Sequence, residues 1–339
     1  MKLYTDITGK FQMYIPLNWE YKNPSLYKEI ESGRPQAFGT YGKLLGAFQI
    51  SCKEVTEHIS NLIKTRKEII QSSNSEQLLF SEMLLAEENL ENYMFSCAVD
   101  DHYFFATYIL TDKKKELRKK YEEELQDVRT ALKSIKFIKP EFRQIVSSKR
   151  RFNLFMTSIA ATVDLMNKAH QNESLIEYVA LSANRIDALL RLSIILTKQI
   201  EGRSDEIDTK YLFQAETDKA IMERKIYKIV LEKGIINQTI FEDLEELYKE
   251  RNKVIHRYII TDIRTEDIGR IAYDYQQLSD KIEVIINQIE EKQYKMKLGI
   301  HKDNDKLAML DDFRFKELIS NIRDKHGNLR VKEILGEKI

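Results

Sequence analysis

The chain has 339 residues, long enough for two domains with substantial cores. Its 54 lysines and arginines balance 54 aspartates and glutamates, which excludes indiscriminate nucleic-acid binding by global charge and leaves room only for a local basic patch. Four prolines and eleven glycines point to long uninterrupted helices, and no apolar run approaches the ~20 residues of a membrane span. The N-terminus lacks a basic-then-apolar signal, so the expectation is a cytoplasmic protein with no membrane association. Cys52 and Cys97 lie in apolar alternating segments without metal-like spacing and read as buried, reduced thiols.

Residues 1–140 read as an α+β domain, an antiparallel sheet with helices. Phe11, Met13 and Ile15 alternate with Gln12 and Tyr14 as in a half-buried strand that Pro16 closes, and a polar stretch from Asn18 to Arg34 surrounds Trp19. Gly46 to Cys52 reads as a second strand. Apolar residues from Val55 to Ile70 recur at steps of three and four, predicting a helix that Ser72–Ser75 ends. Strands follow over Leu78–Ala86, Glu91–Val99 and Tyr103–Leu110, the last two joined at Asp100–Asp101. A helix from Lys114 to Ser134 carries Leu117, Tyr121, Leu125, Val128 and Leu132 on one face, and Pro140 marks a boundary. The order of elements, a strand running into I-P-L-N-W, paired strands, then a helix ending in S-I-K-F-I, resembles PsbP-like α/β domains. His58 and His102 have no partner at catalytic or metal spacing. The run Lys113–Lys115 with Arg118–Lys120 reads as a solvated helix face offset by Glu122–Glu124, with a phosphate-contacting patch as the alternative.

From residue 141 to 300 the pattern is helical. Ser147–His170 carries an apolar stripe through Phe152, Phe155, Ile159 and Val163, and Leu175–Ile200 is more apolar still, closing at Gly202. Asn184, Arg185 and Asp187 interrupt that second helix, as polar residues do when they satisfy one another or line an interface or site wall. Ile221–Lys233 ends at Gly234, and a fourth helix follows with Asn237 or Thr239 as its cap. Thr261–Asp262 breaks it, and Glu266–Lys295 completes a five-helix bundle suited to self-association. Residues 301–339 form a charged extension in which Leu310–Ile322 has the spacing of one amphipathic helix.

The fourth helix runs into Arg251-Asn252-Lys253-Val254-Ile255-His256-Arg257-Tyr258. RNA cleavage without a metal needs a base for the 2′-hydroxyl proton and a cation for the charge that develops on phosphorus. His256 suits the first, because its imidazole titrates near neutrality. Arg251 suits the second, because its guanidinium is permanently charged and fits phosphate oxygens. Asn252 could position either group, and Lys253, Arg257 and the cluster Lys149-Arg150-Arg151 could add RNA contacts. At about 100° per residue, Asn252 and His256 lie about 40° apart, but Arg251 and His256 about 140° apart. One helix cannot easily aim both at one phosphate, so a cleft shared by two copies is expected. Structural alternatives stand beside this: Arg251 paired with Glu246 or Glu250, Tyr258 in a core or interface, His256 as a structural histidine.

Five helices with R-N-x3-H-x-Y late in the fourth, preceded by Gly234-Ile235-Ile236, resemble a HEPN domain (higher eukaryotes and prokaryotes nucleotide-binding). The family pattern is an arginine, four to six residues, then histidine, commonly with a polar residue after the arginine. The resemblance implies a metal-independent endoribonuclease that needs no cofactor and acts on RNA as a homodimer, with Arg251, Asn252 and His256 catalytic. Tyr258 is similar to the toxin branch in which a nucleotidyltransferase antitoxin attaches nucleotide to that tyrosine. A toxin or antiviral-defence effector, with the first domain regulating or recruiting, is the implied setting. A non-catalytic HEPN module that binds a nucleotide or protein is the alternative.

Overall fold

The computed structural model describes residues 1–22, 35–40, 46–86, 90–110, 117–213, 219–303 and 312–326. It divides into two compact units, Met1–Arg150 with Leu310–Ile339, and Arg151–Met309. An α/β region with antiparallel sheets is thus followed by a helical region.

In the first unit, β1 (Lys2–Thr5), β2 (Phe11–Ile15) and β10 (Lys136–Phe137) make a three-stranded antiparallel sheet with β2 central. A larger sheet runs in the order β3 (Trp19–Tyr21), β4 (Gln36–Thr40), β5 (Gly46–Glu54), β9 (His102–Leu110), β8 (Glu91–Val99). Beyond β8 lie β6 (Ile70–Gln71), parallel to it, and β7 (Ser81–Ala86), antiparallel to it. The alternation of β9 buries Phe104, Ala106, Tyr108 and Leu110 against Phe11, Trp19 and Phe48 and against Tyr121, Leu125, Val128 and Leu132 of α2 (Arg118–Lys133). Gly46 is required here: a Cβ would lie 2.5 Å from the Tyr108 ring, whose hydroxyl donates to Glu124 of α2. Both thiols are buried, and burial pushes each up to about 12.

Local signals misplace several boundaries. The helix expected over residues 55–70 is α1 (Glu57–Arg66), because Lys67 turns left-handed and its N–H caps the last carbonyls. Ile69 and Ile70 therefore leave the helix face and are exposed. Pro140 is the first residue of α3 (Pro140–Gln171), a position that suits proline because the missing N–H has no partner there anyway. The division into units falls inside this helix, after Arg150. Gly202 remains helical, as the last residue of its helix, and Arg203 takes the left-handed C-cap of that same helix instead. The short strands β1, β3, β4 and β10 carry too little alternation to be read locally. Lys113–Lys115 lies outside the described residues, while Arg118 and Lys119 pair with Glu122 and Glu123 on a solvated face.

The charged extension contains α8 (Asp312–His326), which belongs with the first unit. Lys2 donates to Ser320 at 2.9 Å and pairs with Asp324 at 2.5 Å, and Ser320 donates to the Leu17 carbonyl. Burial lowers the Lys2 ammonium pKa, against the pull of Asp324.

In the second unit α4 (Leu175–Gly202) is buried along most of its length and packs against α7 (Thr265–Met296), α5 (Glu223–Glu232) and α6 (Gln238–Arg257). Asn237 caps α6 by accepting from the Ile240 N–H at 2.9 Å, and Gly234 has φ +64° where α5 ends. Among the described residues no helix is long and apolar enough to cross a membrane.

Candidate functional site

The last turns of α6 carry the polar set. Leu244, Leu247 and Val254 of this helix are buried, and Arg251 lies about 20° from Leu244 around the axis, so it turns inward with them. There it meets Glu223, the first residue of α5, with Nη1 to Oε2 at 2.6 Å. Nη2 donates to the Asn252 side chain at 3.1 Å, and the guanidinium carbon stands 4.8 Å from the Tyr248 ring centroid. The pair is largely sequestered, with side chains 15% and 17% exposed. Burial alone would lower the Arg251 pKa, but hydrogen bonding and charge from Glu223 leave it raised. The local partners expected for Arg251, Glu246 and Glu250, do not bind it.

Glu223 also accepts from the Tyr227 hydroxyl, which burial and then the Glu223 charge push far up. Arg224 is held by Glu245, with Nε to Oε1 at 2.8 Å, beside the same Tyr248 ring. Tyr275 of α7 donates to the Leu247 carbonyl at 3.0 Å and holds that turn of α6. From α4, Asp187 accepts from Arg191 Nε at 2.7 Å, and Arg191 Nη2 donates to the Ile221 carbonyl at 2.7 Å. Burial raises the Asp187 carboxyl pKa above its ordinary value, with Arg191 opposing and with Glu223 and Arg251 close enough to be felt. Its Oδ1 is buried without a hydrogen-bond partner among the described residues. Asn184 is exposed, and Arg185 bonds Ser279 and Glu283 of α7, so these three polar residues of α4 do not satisfy one another.

His256 is exposed and has no hydrogen-bond or ion-pair partner among the described residues. The chain therefore joins Arg251 to Asn252 and leaves His256, about 140° from Arg251 around the helix, in solvent. Lys253 and Arg257 are exposed and enter no ion pair among the described residues. Tyr258 begins a 3-10 turn, Tyr258–Ile260, and is itself exposed. Around it lie Ile255, Ile259 and Ile260, and Ile259 is 94% exposed. The cluster Lys149-Arg150-Arg151 is not a free basic patch. Arg150 donates to the Thr5 carbonyl at 2.9 Å, and Arg151 stands 5.0 Å from the Phe213 ring centroid.

Glu223, Tyr227, Tyr248 and Arg191 belong to the site but escaped the sequence reading. The signals were the four-residue spacings Glu223/Tyr227 and Asp187/Arg191, which set each pair on one helix face. Among the described residues no group of three or more His, Cys, Asp or Glu side chains is placed to hold a metal ion.

No family model matches this chain, and no curated protein does. A crystal structure of a protein from Bacteroides thetaiotaomicron VPI-5482 is similar over 83% of this chain and 98% of its own, with 12% sequence identity and a TM-score of 0.31.

Proposed function

We propose that residues 141–300 form a HEPN-type endoribonuclease that cuts RNA without a metal ion, working as a homodimer. The N-terminal domain regulates or recruits it, and a cytoplasmic toxin or antiviral-defence effector is the setting that suits such an enzyme. The observation that carries this reading is the end of α6. A bare, exposed His256 stands there five residues from a fixed, charged Arg251, beside exposed isoleucines that a second copy would cover.

In this reading His256 takes the proton of a ribose 2′-hydroxyl. The 2′ oxygen attacks the adjacent phosphorus, the bond from phosphorus to the 5′ oxygen breaks, and that oxygen is protonated as it leaves. Arg251, exchanging Glu223 for the phosphate, stabilises the charge on the phosphoryl oxygens. Asn252 orients the phosphate, and Lys253 and Arg257 hold the RNA backbone. Arg251 and His256 diverge on one helix, so the partner's copy of the helix completes each site. Tyr258 lies where a nucleotidyltransferase antitoxin could modify it.

A second reading, a non-catalytic module for a nucleotide or protein partner, is favoured by the Arg251–Glu223 ion pair. An arginine already neutralised at 2.6 Å serves packing well. RNA degradation in EDTA by wild type, His256→Ala and Arg251→Ala separates the two. Intact RNA with partner-free wild type, or equal cutting by the variants, rejects the nuclease. Ile259→Glu tests the dimer: it should yield a monomer of unchanged melting temperature that no longer cuts, whereas a fully active monomer removes the shared cleft. Co-expression with a neighbouring nucleotidyltransferase should add nucleotide mass that Tyr258→Phe abolishes.

A further inference from the structure

The second unit contains a cavity of about 290 Å³. Its walls include Phe155 of α3, Asp187, Ala188 and Arg191 of α4, and Tyr211 and Phe213 at and just after the 3-10 turn Thr209–Tyr211. A spacing of four sets Asp187 and Arg191 on one face of α4. Arg191 Nε donates to Asp187 Oδ2 at 2.7 Å, and Nη2 donates to the Ile221 carbonyl at 2.7 Å. Two bonds thus fix the guanidinium, and its remaining nitrogen, Nη1, meets no acceptor among the described residues. Asp187 Oδ1 has no partner there either. One ion pair, neutral as a whole, therefore keeps an uncommitted donor and an uncommitted acceptor at a wall otherwise made of aromatic rings.

The walls select the chemistry of a ligand. The rings of Phe155, Tyr211 and Phe213 suit a flat π-system. The neutral ion pair suits an uncharged ring that carries both an acceptor and a donor. The volume, at the lower end of the ~300–1,000 Å³ of small-molecule sites, admits one ring system rather than a long chain. Arg151 rests on the Phe213 ring at 5.0 Å and enters no ion pair among the described residues, so a permanent cation stands beside the aromatic wall. A nucleobase joined to a phosphate meets all four conditions. An aromatic side chain of a peptide lacks the anion and, in phenylalanine or tryptophan, the acceptor. Asp187 also lies close enough to Arg251 to feel its charge, which places the cavity near the end of α6. We propose that this cavity holds one unstacked base of a nucleotide. In the RNA that Arg251 grips it is a base near the scissile phosphate, an assignment that rests on the nuclease reading above.

The probes are AMP, GMP, CMP and UMP, each titrated into the full chain by isothermal calorimetry in EDTA. Saturable binding of at least one is expected. Phe213→Ala removes a half-exposed ring, so it should keep the melting temperature and weaken that nucleotide about tenfold, the loss of one base–aromatic stack. Ala188→Leu narrows the cavity and should weaken the same nucleotide at least as much. No binding by any of the four, or equal binding by wild type and both variants, overturns the proposal whether or not the chain cuts RNA. A random-sequence RNA then identifies the source of the base. Wild type should cut it beside the base that binds best, and Phe213→Ala should cut without that preference. Binding with the RNA left intact rejects the nuclease alone and leaves the cavity to a free nucleotide. Cutting with one and the same preference in wild type and Phe213→Ala removes the RNA base from the cavity.

Discussion

The pair between Arg251 and Glu223 joins α6 to α5 across 28 residues of sequence, and its strength can be measured by a double-mutant cycle. Glu223→Gln removes the charge while leaving an amide oxygen for Tyr227, and Arg251→Met removes the guanidinium while keeping the stem that packs beside Tyr248. Exposed pairs contribute about 0–1 kcal/mol, and breaking a fully buried one costs about 3–5 kcal/mol. With both side chains less than a fifth exposed, and a charge-assisted hydrogen bond of 2.6 Å, the coupling should be about 2 kcal/mol. In a unit of this size that is about 4–8 °C in melting temperature. Wild type, the two single variants and the double variant would be unfolded in guanidinium chloride and followed by helical circular dichroism. A coupling below about 0.5 kcal/mol refutes the reasoning, because the pair would then not hold Arg251 in place. The nuclease reading adds a separation: Glu223→Gln should lose stability and still cut RNA, while Arg251→Met loses both.

Gly46→Ala should destabilise the first unit by about 1–3 kcal/mol in chemical denaturation, because its methyl would meet the buried Tyr108 ring at 2.5 Å; unchanged stability would show that the ring can move aside. Cys52 and Cys97, buried and pushed up to about 12, should resist a thiol reagent at pH 8 in the native protein and react fully once it is unfolded. Rapid native labelling would contradict their burial. Asp187 has a carboxyl raised by burial, so between its ordinary value and the raised one the folded state binds more protons than the unfolded. Stability must then fall as pH rises through that window. Relative to Asp187→Asn, wild type should lose stability from pH 4 upward, and a difference that grows with pH instead would reverse the assignment.

Local spacing determined much of this protein. Alternation placed β2 with the correct residues inward, and steps of three and four gave the buried face of α2. Asn237 and Gly234 marked helix ends because capping and positive φ are properties of a few neighbouring residues. The R-N-x3-H-x-Y set, and the divergence of Arg251 from His256, followed from helical geometry alone. Periodicity reports which face of an element is apolar, but not which other element covers it. So only the tertiary structure decided that Arg251 turns to Glu223 rather than to Glu246 or Glu250, through the packing of α6 on α5. It also decided that Lys2 is neutralised by Asp324, 322 residues away, and that β7 ends its sheet with Met83, Leu84 and Leu85 in solvent. Long-range packing sets each of these outcomes, and no window of neighbouring residues encodes it.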